Sequence, residues 1–403
     1  MTRIVVIGGG QAAASLIAKL RDLDFTGPIT LITRESELPY QRPPLSKKYL
    51  LGDFTRERLL LRPASWYESN KITVMTNSSC TAINHDQRRV EVDGHPIGYD
   101  HLVLTTGSTA RELPAHLGGT LEGVHTIRTV DDIDNLAVGV AAGRNLVVVG
   151  GGYIGLEAAA VSAMRGMHVT VIEAARRILN RVAAPETATH IANLHRRNGV
   201  TVLESVTLDR LAGHNRVSGA VLTNGMEIPA DLVVTGIGIE PETGLADSAG
   251  LRIDNGIAVD AQGRTSTPNI WAAGDCASFP WQGRRIRLES VQNAIEQAEA
   301  VAHNLVGKPV TYDPTPWFWS DQYDTKLQIV GLGEGATRVV VRPGTGPNSI
   351  SHWYFRDREL LAVDAINEPR SYMIGKRVLE GRFRVDPESL ADPNFELRSL
   401  LTG

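Results

Sequence analysis

Two glycine clusters, each directly after a β-branched run, carry the densest chemical signal in the chain. They are Gly8-x-Gly10-x-x-Ala13 and Gly150-x-Gly152-x-x-Gly155. In such a fingerprint the first glycine allows a tight turn. The second lets backbone N–H groups approach a pyrophosphate at a helix N-terminus, and a small third residue lets helix and strand pack closely. An acidic residue closing the next strand then accepts hydrogen bonds from ribose hydroxyls. Glu35 is placed for this after the first motif, and Glu173 after the second. A carboxylate at Glu173 repels a 2′-phosphate and so favours NADH over NADPH. Arg176 and Arg177 follow it, either folding back toward the ribose to accommodate a phosphate or lining a solvated turn. Two dinucleotide sites in one chain need a division of labour. A bound flavin beside a diffusible nicotinamide supplies one, and that arrangement predicts hydride transfer.

The elements around these motifs read as repeated β-α-β units. Arg3 to Ile7 is a short apolar run suited to a buried parallel strand, and a helical pattern follows from Ala12 to Leu23. Gly27-Pro28 stops it before a second strand, Ile29 to Ile32. The same grammar returns as Asn145 to Val149, a helix from about Ile154 to Arg165, and a strand His168 to Ile172. The two units lie too far apart for a solenoid repeat and suit separate domains. Further strands ending in glycine are expected at Leu102–Gly107, Leu232–Gly238 and Ile270–Asp275, with a helix from about Ser290 to Leu305. From Pro314 the character changes to the aromatic Trp317–Trp319, strand-like pieces at Lys326–Val330, Arg338–Val341 and Ser351–Phe355, and a polar tail. The expected fold class is α/β, with two Rossmann-like dinucleotide-binding domains and a C-terminal α+β domain. The expected boundaries are 1–108 with 240–313 for the first cofactor, 109–239 for the second, and 314–403 for the last domain.

Composition narrows the function. The 403 residues are 42% hydrophobic and 21% charged, as in ordinary globular proteins. Lys and Arg number 41 against 45 Asp and Glu, a net charge of −4, so no global basic excess attracts nucleic acid or anionic lipid. Two cysteines, Cys80 and Cys276, make neither a disulfide framework nor the four ligands an iron–sulfur cluster usually needs. No metal site is expected. No apolar run reaches the roughly 18 residues of a membrane span, and the chain opens on a strand where a secretory leader would have an apolar core. A cytoplasmic setting is the expectation.

Beyond the fingerprints, Leu38–Lys47, Thr105–Gly107, Gly150–Glu157, Ala273–Asp275, Glu289–Asn293 and Pro316–Gln322 form a highly specific set. On these segments the chain resembles, nearly end to end, the FAD-dependent NADH:ferredoxin reductases of bacterial oxygenase and cytochrome P450 systems, the putidaredoxin reductase and biphenyl dioxygenase reductase type. The resemblance implies a glutathione-reductase-like fold, FAD and NADH as cofactors, and electron transfer to a small acidic [2Fe–2S] ferredoxin. For FAD it implies contacts from Gly8, Gly10, Ala12, Ala13, Glu35, Arg42, Lys47, Cys80, Thr106, Gly107, Arg128, Asp275, Val291 and Gln292. Asp275 would hold a ribityl hydroxyl, or else serve as a helix N-cap. The N–H groups of Val291 and Gln292 would face the flavin edge where charge collects on reduction. Lys47 would lie beside the isoalloxazine, or be a surface cation. Many relatives of this type carry an acid where this chain has Arg34, so the ribose contact passes to Glu35.

For NAD the implied set is Gly150, Gly152, Tyr153, Ile154, Gly155, Glu157, Glu173 and Gly238. Glu157 would reach the nicotinamide carboxamide; the alternative is a carboxylate merely favoured near a helix start. Trp319 would form an aromatic wall near the flavin, while Trp317 lies near a domain interface or packs in a core. Lys47, Glu157 and Trp319 are thus the expected catalytic group. Disulfide reductases of this fold carry a cysteine pair beside the flavin, and peroxide or oxygen reductases a single cysteine; Pro39–Lys47 has none. Electrons must then leave the flavin directly to an outside acceptor. An acidic carrier asks for a basic dock, for which Arg284, Arg285 and Arg287 are candidates unless they are a solvated loop. Competing readings are an NADH oxidase or peroxidase-like flavoenzyme and an apoptosis-inducing-factor-like FAD-binding protein.

Overall fold

The computed structural model describes residues 1–392 and 394–401. It comprises two compact units. The first contains residues 1–42, 55–109 and 239–314; the second contains residues 43–54, 110–238 and the chain from 315 onward.

The first unit is organised by Ile4–Ile7, a strand buried at all positions, as a strand covered on both faces must be. It pairs in parallel with Ile29–Ile32 and with His101–Leu104. Ile72–Met75 and Ile270–Ala272 complete the parallel sheet at its two edges. The helix Gln11–Asp22 begins at Gly10, whose backbone is still extended, and buries Ala12, Ala13, Leu16, Ile17 and Leu20 in the core beneath. A second helix, Val291–Leu305, packs against it. Its start is set by Ser290, whose hydroxyl accepts the N–H of Asn293 at 3.1 Å.

In the second unit Asn145–Val149 plays the part of the central strand, between His168–Glu173 and Leu232–Thr235. Thr201–Glu204 and Val124–His125 extend this parallel sheet. The helix Tyr153–Met164 is buried continuously from Gly155 to Ser162. That follows from its neighbours: its own sheet lies on one side, and the strand Trp317–Gln322 and the segment Leu45–Tyr49 cover others. The C-terminal part is a five-stranded antiparallel sheet in the order Trp317–Gln322, Thr325–Gly331, Glu359–Ile366, Ile350–Arg356, Arg338–Pro343.

The fold is therefore mixed α/β with two Rossmann-like sheets and a C-terminal α+β domain. Both fingerprint helices start one residue before the sequence pattern suggests, because the backbone turns helical as soon as the second glycine of each motif is passed. The expected polar tail is a correction. Pro369–Gly381 is a helix, followed by a short helix Pro387–Ala391. Tyr372, Ile374 and Val378, together with Leu390, Leu397 and Leu400, enter the core of the antiparallel sheet. The charged residues between them occupy the outer face, so composition alone concealed an amphipathic pattern.

Candidate functional site

The two fingerprints divide their glycines by what each one serves. A Cβ on Gly8 would lie 2.3 Å from the carbonyl oxygen of Thr105, and one on Gly150 would lie 2.4 Å from that of Gly236. Both residues also have positive φ, so the protein's own backbone demands glycine there. Gly10 and Gly152 are different. Their φ angles are −96° and −81°, open to any residue. A Cβ on Gly10 would meet nothing within 4 Å, and one on Gly152 would meet only the Gly236 carbonyl at 3.8 Å. Nothing in the chain requires glycine at these two positions, whereas a pyrophosphate lying against the helix N-terminus does. The residues present thus fit two dinucleotides.

In the first unit the carboxyl ends of the parallel strands bring together Gly8, Thr106, Gly107 and Asp275, the crevice where open α/β sheets bind ligands. Gly274 lies against Ala12 and Ala294, so the strand end, the fingerprint helix and the start of the helix Val291–Leu305 converge. The Gly274 N–H donates to Gln297 at 2.8 Å. Asp275 accepts from the Ser108 hydroxyl at 3.1 Å. It is no helix cap, because the element that follows it is the strand Ala277–Trp281. Val291 and Gln292 occupy the first turn, where N–H groups have no intrahelical acceptor. Glu35 accepts from Tyr40 at 2.5 Å and pairs with Arg42, whose guanidinium also donates to the Tyr40 hydroxyl at 2.9 Å. Thr106 donates to the Glu242 carbonyl at 2.6 Å, and Arg34 reaches the Glu242 carboxylate. Cys80 opens the strand Cys80–Asn84, just past a loop in which Asn77 and Ser78 donate to the carbonyls of Glu35 and Thr33. Burial pushes its thiol up to about 11, and burial also raises that of Cys276, which is enclosed between the carbonyls of Leu104 and Ala273. Both are protonated thiols, unsuited to redox relay.

In the second unit Glu173 turns back onto its fingerprint. Its two oxygens accept the N–H groups of Gly151 and Ala175 at 2.8 and 2.7 Å, leaving acceptor capacity for a ribose. Of the two arginines that follow, Arg176 is exposed. Arg177 neither lines a solvated turn nor reaches back. Its guanidinium donates to Asn180 at 2.7 Å and to the Ala183 carbonyl at 3.0 Å. Gly238 has positive φ, and its carbonyl accepts from the Arg111 N–H. Arg128 precedes the helix Val130–Ala137, its N–H donating to Asp132 at 2.8 Å. Tyr153 is half-buried, with its buried hydroxyl unpartnered among the described residues and its ring 4.7 Å from Phe318. Ile154 beside it is exposed.

Glu157 departs furthest from a simple helix-start carboxylate. It is only 2% exposed. Lys47 pairs with its Oε2 at 2.7 Å, and the Ser46 hydroxyl donates to the same oxygen at 2.6 Å. The Ser320 hydroxyl donates to Oε1 at 2.6 Å. Lys47 is therefore no surface cation. The segment Leu45–Tyr49 that carries it leaves helical backbone geometry at Lys47 itself, with φ −128° and ψ −109°. Strand alternation explains the rest. Phe318, Ser320 and Gln322 share one face of Trp317–Gln322, whereas Trp317 and Trp319 lie on the other, their rings 5.7 Å apart. Trp317 packs against the core of the antiparallel sheet beneath the Lys376 ammonium, which is the core reading of that residue. Sequence reasoning missed Ser46, Ser320 and Gln322; a period-two reading of 317–322 would have found the last two.

The proposed dock at 284–287 is only partly surface. Arg285 donates to the carbonyls of Val259 and Ser278 at 2.9 and 2.5 Å. Arg287, 9% exposed, pairs with Glu289 and donates to the Asp275 carbonyl. Arg284 is the exposed member, over the Trp281 ring.

The chain belongs to the pyridine nucleotide-disulphide oxidoreductase family, whose model matches residues 2–298. A reductase C-terminal model matches residues 317–401. Rhodocoxin reductase of Rhodococcus erythropolis is 42% identical over 98% of this chain and 93% of its own length. Putidaredoxin reductase of Pseudomonas putida is 38% identical over 99% of this chain and 97% of its own. Among solved structures, the covalent putidaredoxin reductase–putidaredoxin complex superposes with a TM-score of 0.96 at 38% identity, covering 100% of this chain and 98% of that one.

Proposed function

We propose that this protein is an NADH-dependent, FAD-containing ferredoxin reductase that delivers electrons to a [2Fe–2S] ferredoxin serving a cytochrome P450 or Rieske-type oxygenase. The observation that carries it is the pair of phosphate cradles, each with an open second glycine and a carboxylate at or just past the end of the following strand. Bound FAD supplies the conversion between a two-electron hydride donor and one-electron acceptors. The chain's residues hold and exclude. Gly10 leaves room for the FAD pyrophosphate, Asp275 binds a ribityl hydroxyl, and the first-turn N–H groups at Val291 and Gln292 stabilise negative charge on the ring edge. Gly152 leaves room for the NADH pyrophosphate, and Glu173 receives the adenosine ribose. Glu157 accepts the carboxamide N–H of the nicotinamide, with Lys47 neutralising its buried charge. Arg284 contributes to an acidic partner's dock. Two protonated thiols and a cysteine-free Pro39–Lys47 disfavour the oxidase and disulfide-reductase readings. A cytoplasmic location completes the proposal, supported by dependence on NADH. Among the described residues no helix is long and apolar enough to cross a membrane.

Anaerobic stopped-flow mixing with NADH, followed by steady-state assays with and without a [2Fe–2S] ferredoxin, tests the proposal. Rapid flavin bleaching and NADH oxidation that depends on ferredoxin are expected. Equal oxygen consumption without ferredoxin would instead identify an oxidase. Slow bleaching with a persistent charge-transfer band would identify an apoptosis-inducing-factor-like protein.

A further inference from the structure

The donors on Glu157 continue into a buried chain of hydrogen bonds with one permitted direction. A carboxylate only accepts, so the Ser320 proton is spent on Glu157 Oε1 at 2.6 Å. Ser320 Oγ must then accept from Gln322, whose Nε2 stands 3.1 Å away. That turns Gln322 Oε1 toward His195 Nε2 at 2.7 Å, and Nε2 must carry a proton to donate. Burial pushes His195 below its ordinary 6.5, against the opposing pull of the Gln322 hydrogen bond. The imidazole is therefore neutral, protonated on Nε2, with Nδ1 turned to the Tyr323 hydroxyl at 3.5 Å. Ser320 and His195 are fully buried and Gln322 is 2% exposed, so reversing any link would set acceptor against acceptor, or donor against donor, away from water. The helix Pro185–Arg197, which contributes His195, thereby braces a carboxylate on the helix Tyr153–Met164 through the strand Trp317–Gln322.

The arithmetic of acceptors gives this chain a purpose. A carboxylate offers about four lone-pair sites. Among the described residues, Lys47 and Ser46 occupy Oε2, and Ser320 takes one site on Oε1. What remains is one acceptor on an oxygen whose rotation is locked. We propose that Ser320, Gln322 and His195 are positioning residues that fix Glu157 Oε1 as a lone acceptor, making the site selective for a ring bearing a carboxamide N–H over one bearing a carboxylate or a ketone. A site built to pair one donor rejects an analogue lacking it, because the buried acceptor is then left unpaired. This inference rests on the proposed contact between Glu157 and the nicotinamide carboxamide.

The test titrates NAD⁺ and ADP-ribose calorimetrically into the FAD-loaded protein, since the ratio of the two affinities reads the nicotinamide end alone. Ser320→Ala and His195→Leu are each expected to weaken NAD⁺ roughly tenfold while leaving ADP-ribose unchanged. His195→Gln, whose amide N–H can stand in for Nε2–H, should restore most of the loss. Nicotinic acid adenine dinucleotide should bind the wild type no better than ADP-ribose. If Ser320→Ala and His195→Leu keep the wild-type ratio while Glu157→Gln lowers it, the positioning role is overturned and the reading of Glu157 stands. If Glu157→Gln also leaves the ratio intact, that reading fails and takes this inference with it. Equal weakening of both ligands marks Ser320 and His195 as purely structural and overturns the proposal. An independent readout is the ¹⁵N spectrum of the 11 histidines with His195 assigned by His195→Gln; a proton on Nδ1 at neutral pH would overturn the chain's direction.

Discussion

Gly150 and Gly152 stand two residues apart, yet adding one methyl to each should do opposite things. At Gly150 the new Cβ would sit 2.4 Å from the Gly236 oxygen and 2.8 Å from its carbonyl carbon, with φ at +104°. The backbone conformation alone costs an L-residue about 1–2 kcal/mol, and the contact with another backbone cannot relax cheaply. Gly150→Ala should therefore lose at least about 2 kcal/mol, a fall of several degrees in melting temperature for a unit of this size. At Gly152, φ is −81° and the nearest foreign atom to a Cβ is 3.8 Å away. A small loss of capping preference is offset by a less flexible unfolded chain, so the change in stability should stay within roughly 0.5 kcal/mol. The methyl would nonetheless stand where a pyrophosphate must lie against the N–H groups, weakening NAD⁺ by roughly tenfold to a hundredfold. Thermal melts and calorimetric titration of NAD⁺, with the FAD absorbance ratio as a control on the other cradle, separate the two effects. Wild-type NAD⁺ affinity in Gly152→Ala, or a melting loss matching that of Gly150→Ala, would refute the reasoning.

Asp275→Ala should leave the first unit folded but loosen FAD, read as a sub-stoichiometric flavin absorbance ratio after gel filtration; full retention would remove Asp275 from the cofactor site. A pH prediction concerns the buried group where Thr187 bridges Asp364 and His352, 2.7 Å from each, with Tyr354 donating to Asp364. Burial pushes Asp364 up to about 6 from 3.8, so the native state binds the extra proton and stability falls as pH rises from about 4 to 6. Burial, then the nearby His190, pushes His352 down to about 4 from 6.5, so its contribution rises between about 4 and 6.5. The two slopes oppose each other in the wild type. Asp364→Asn should expose stability that climbs across that window, and His352→Gln stability that declines, each by at most about 1.4 kcal/mol per pH unit. Denaturant melts at pH 4.5 and 6 check this; parallel profiles for both variants would show that neither group titrates in this range.

The fingerprints were legible in the sequence because their physics is local. A glycine forced by a turn, a strand apolar on both faces, and an acid closing the next strand all lie within about 25 residues, the span of one β-α-β unit. The surroundings of Glu157 were not, because its partners come from across the chain: Ser46 is 111 residues away and Ser320 is 163. Seen within its own helix, Glu157 is one carboxylate in a mostly apolar run, for which the helix dipole is a sufficient account that calls for none of these partners. His195 is hidden from the sequence in the same way. It sits in Pro185–Arg197 among Glu186, His190, Arg196 and Arg197, a helix whose composition suggests a solvated face, yet its ring is fully buried. The arginines at 284–287 follow the same pattern: a charge run that reads as surface commits Arg285 and Arg287 to carbonyls and a carboxylate of their own unit.

These gaps share one cause. Polar residues are judged exposed until a partner is known, and most buried polar groups are satisfied ones. A chain such as Glu157–Ser320–Gln322–His195 would therefore contribute little over an apolar core in stability alone. Its presence makes sense if one orientation of one carboxylate is what the molecule needs. The neighbouring Thr187 cluster has no comparable outlet, which is why its predicted signature is a slope of stability with pH, whereas that of the Glu157 chain is a ratio of two ligand affinities.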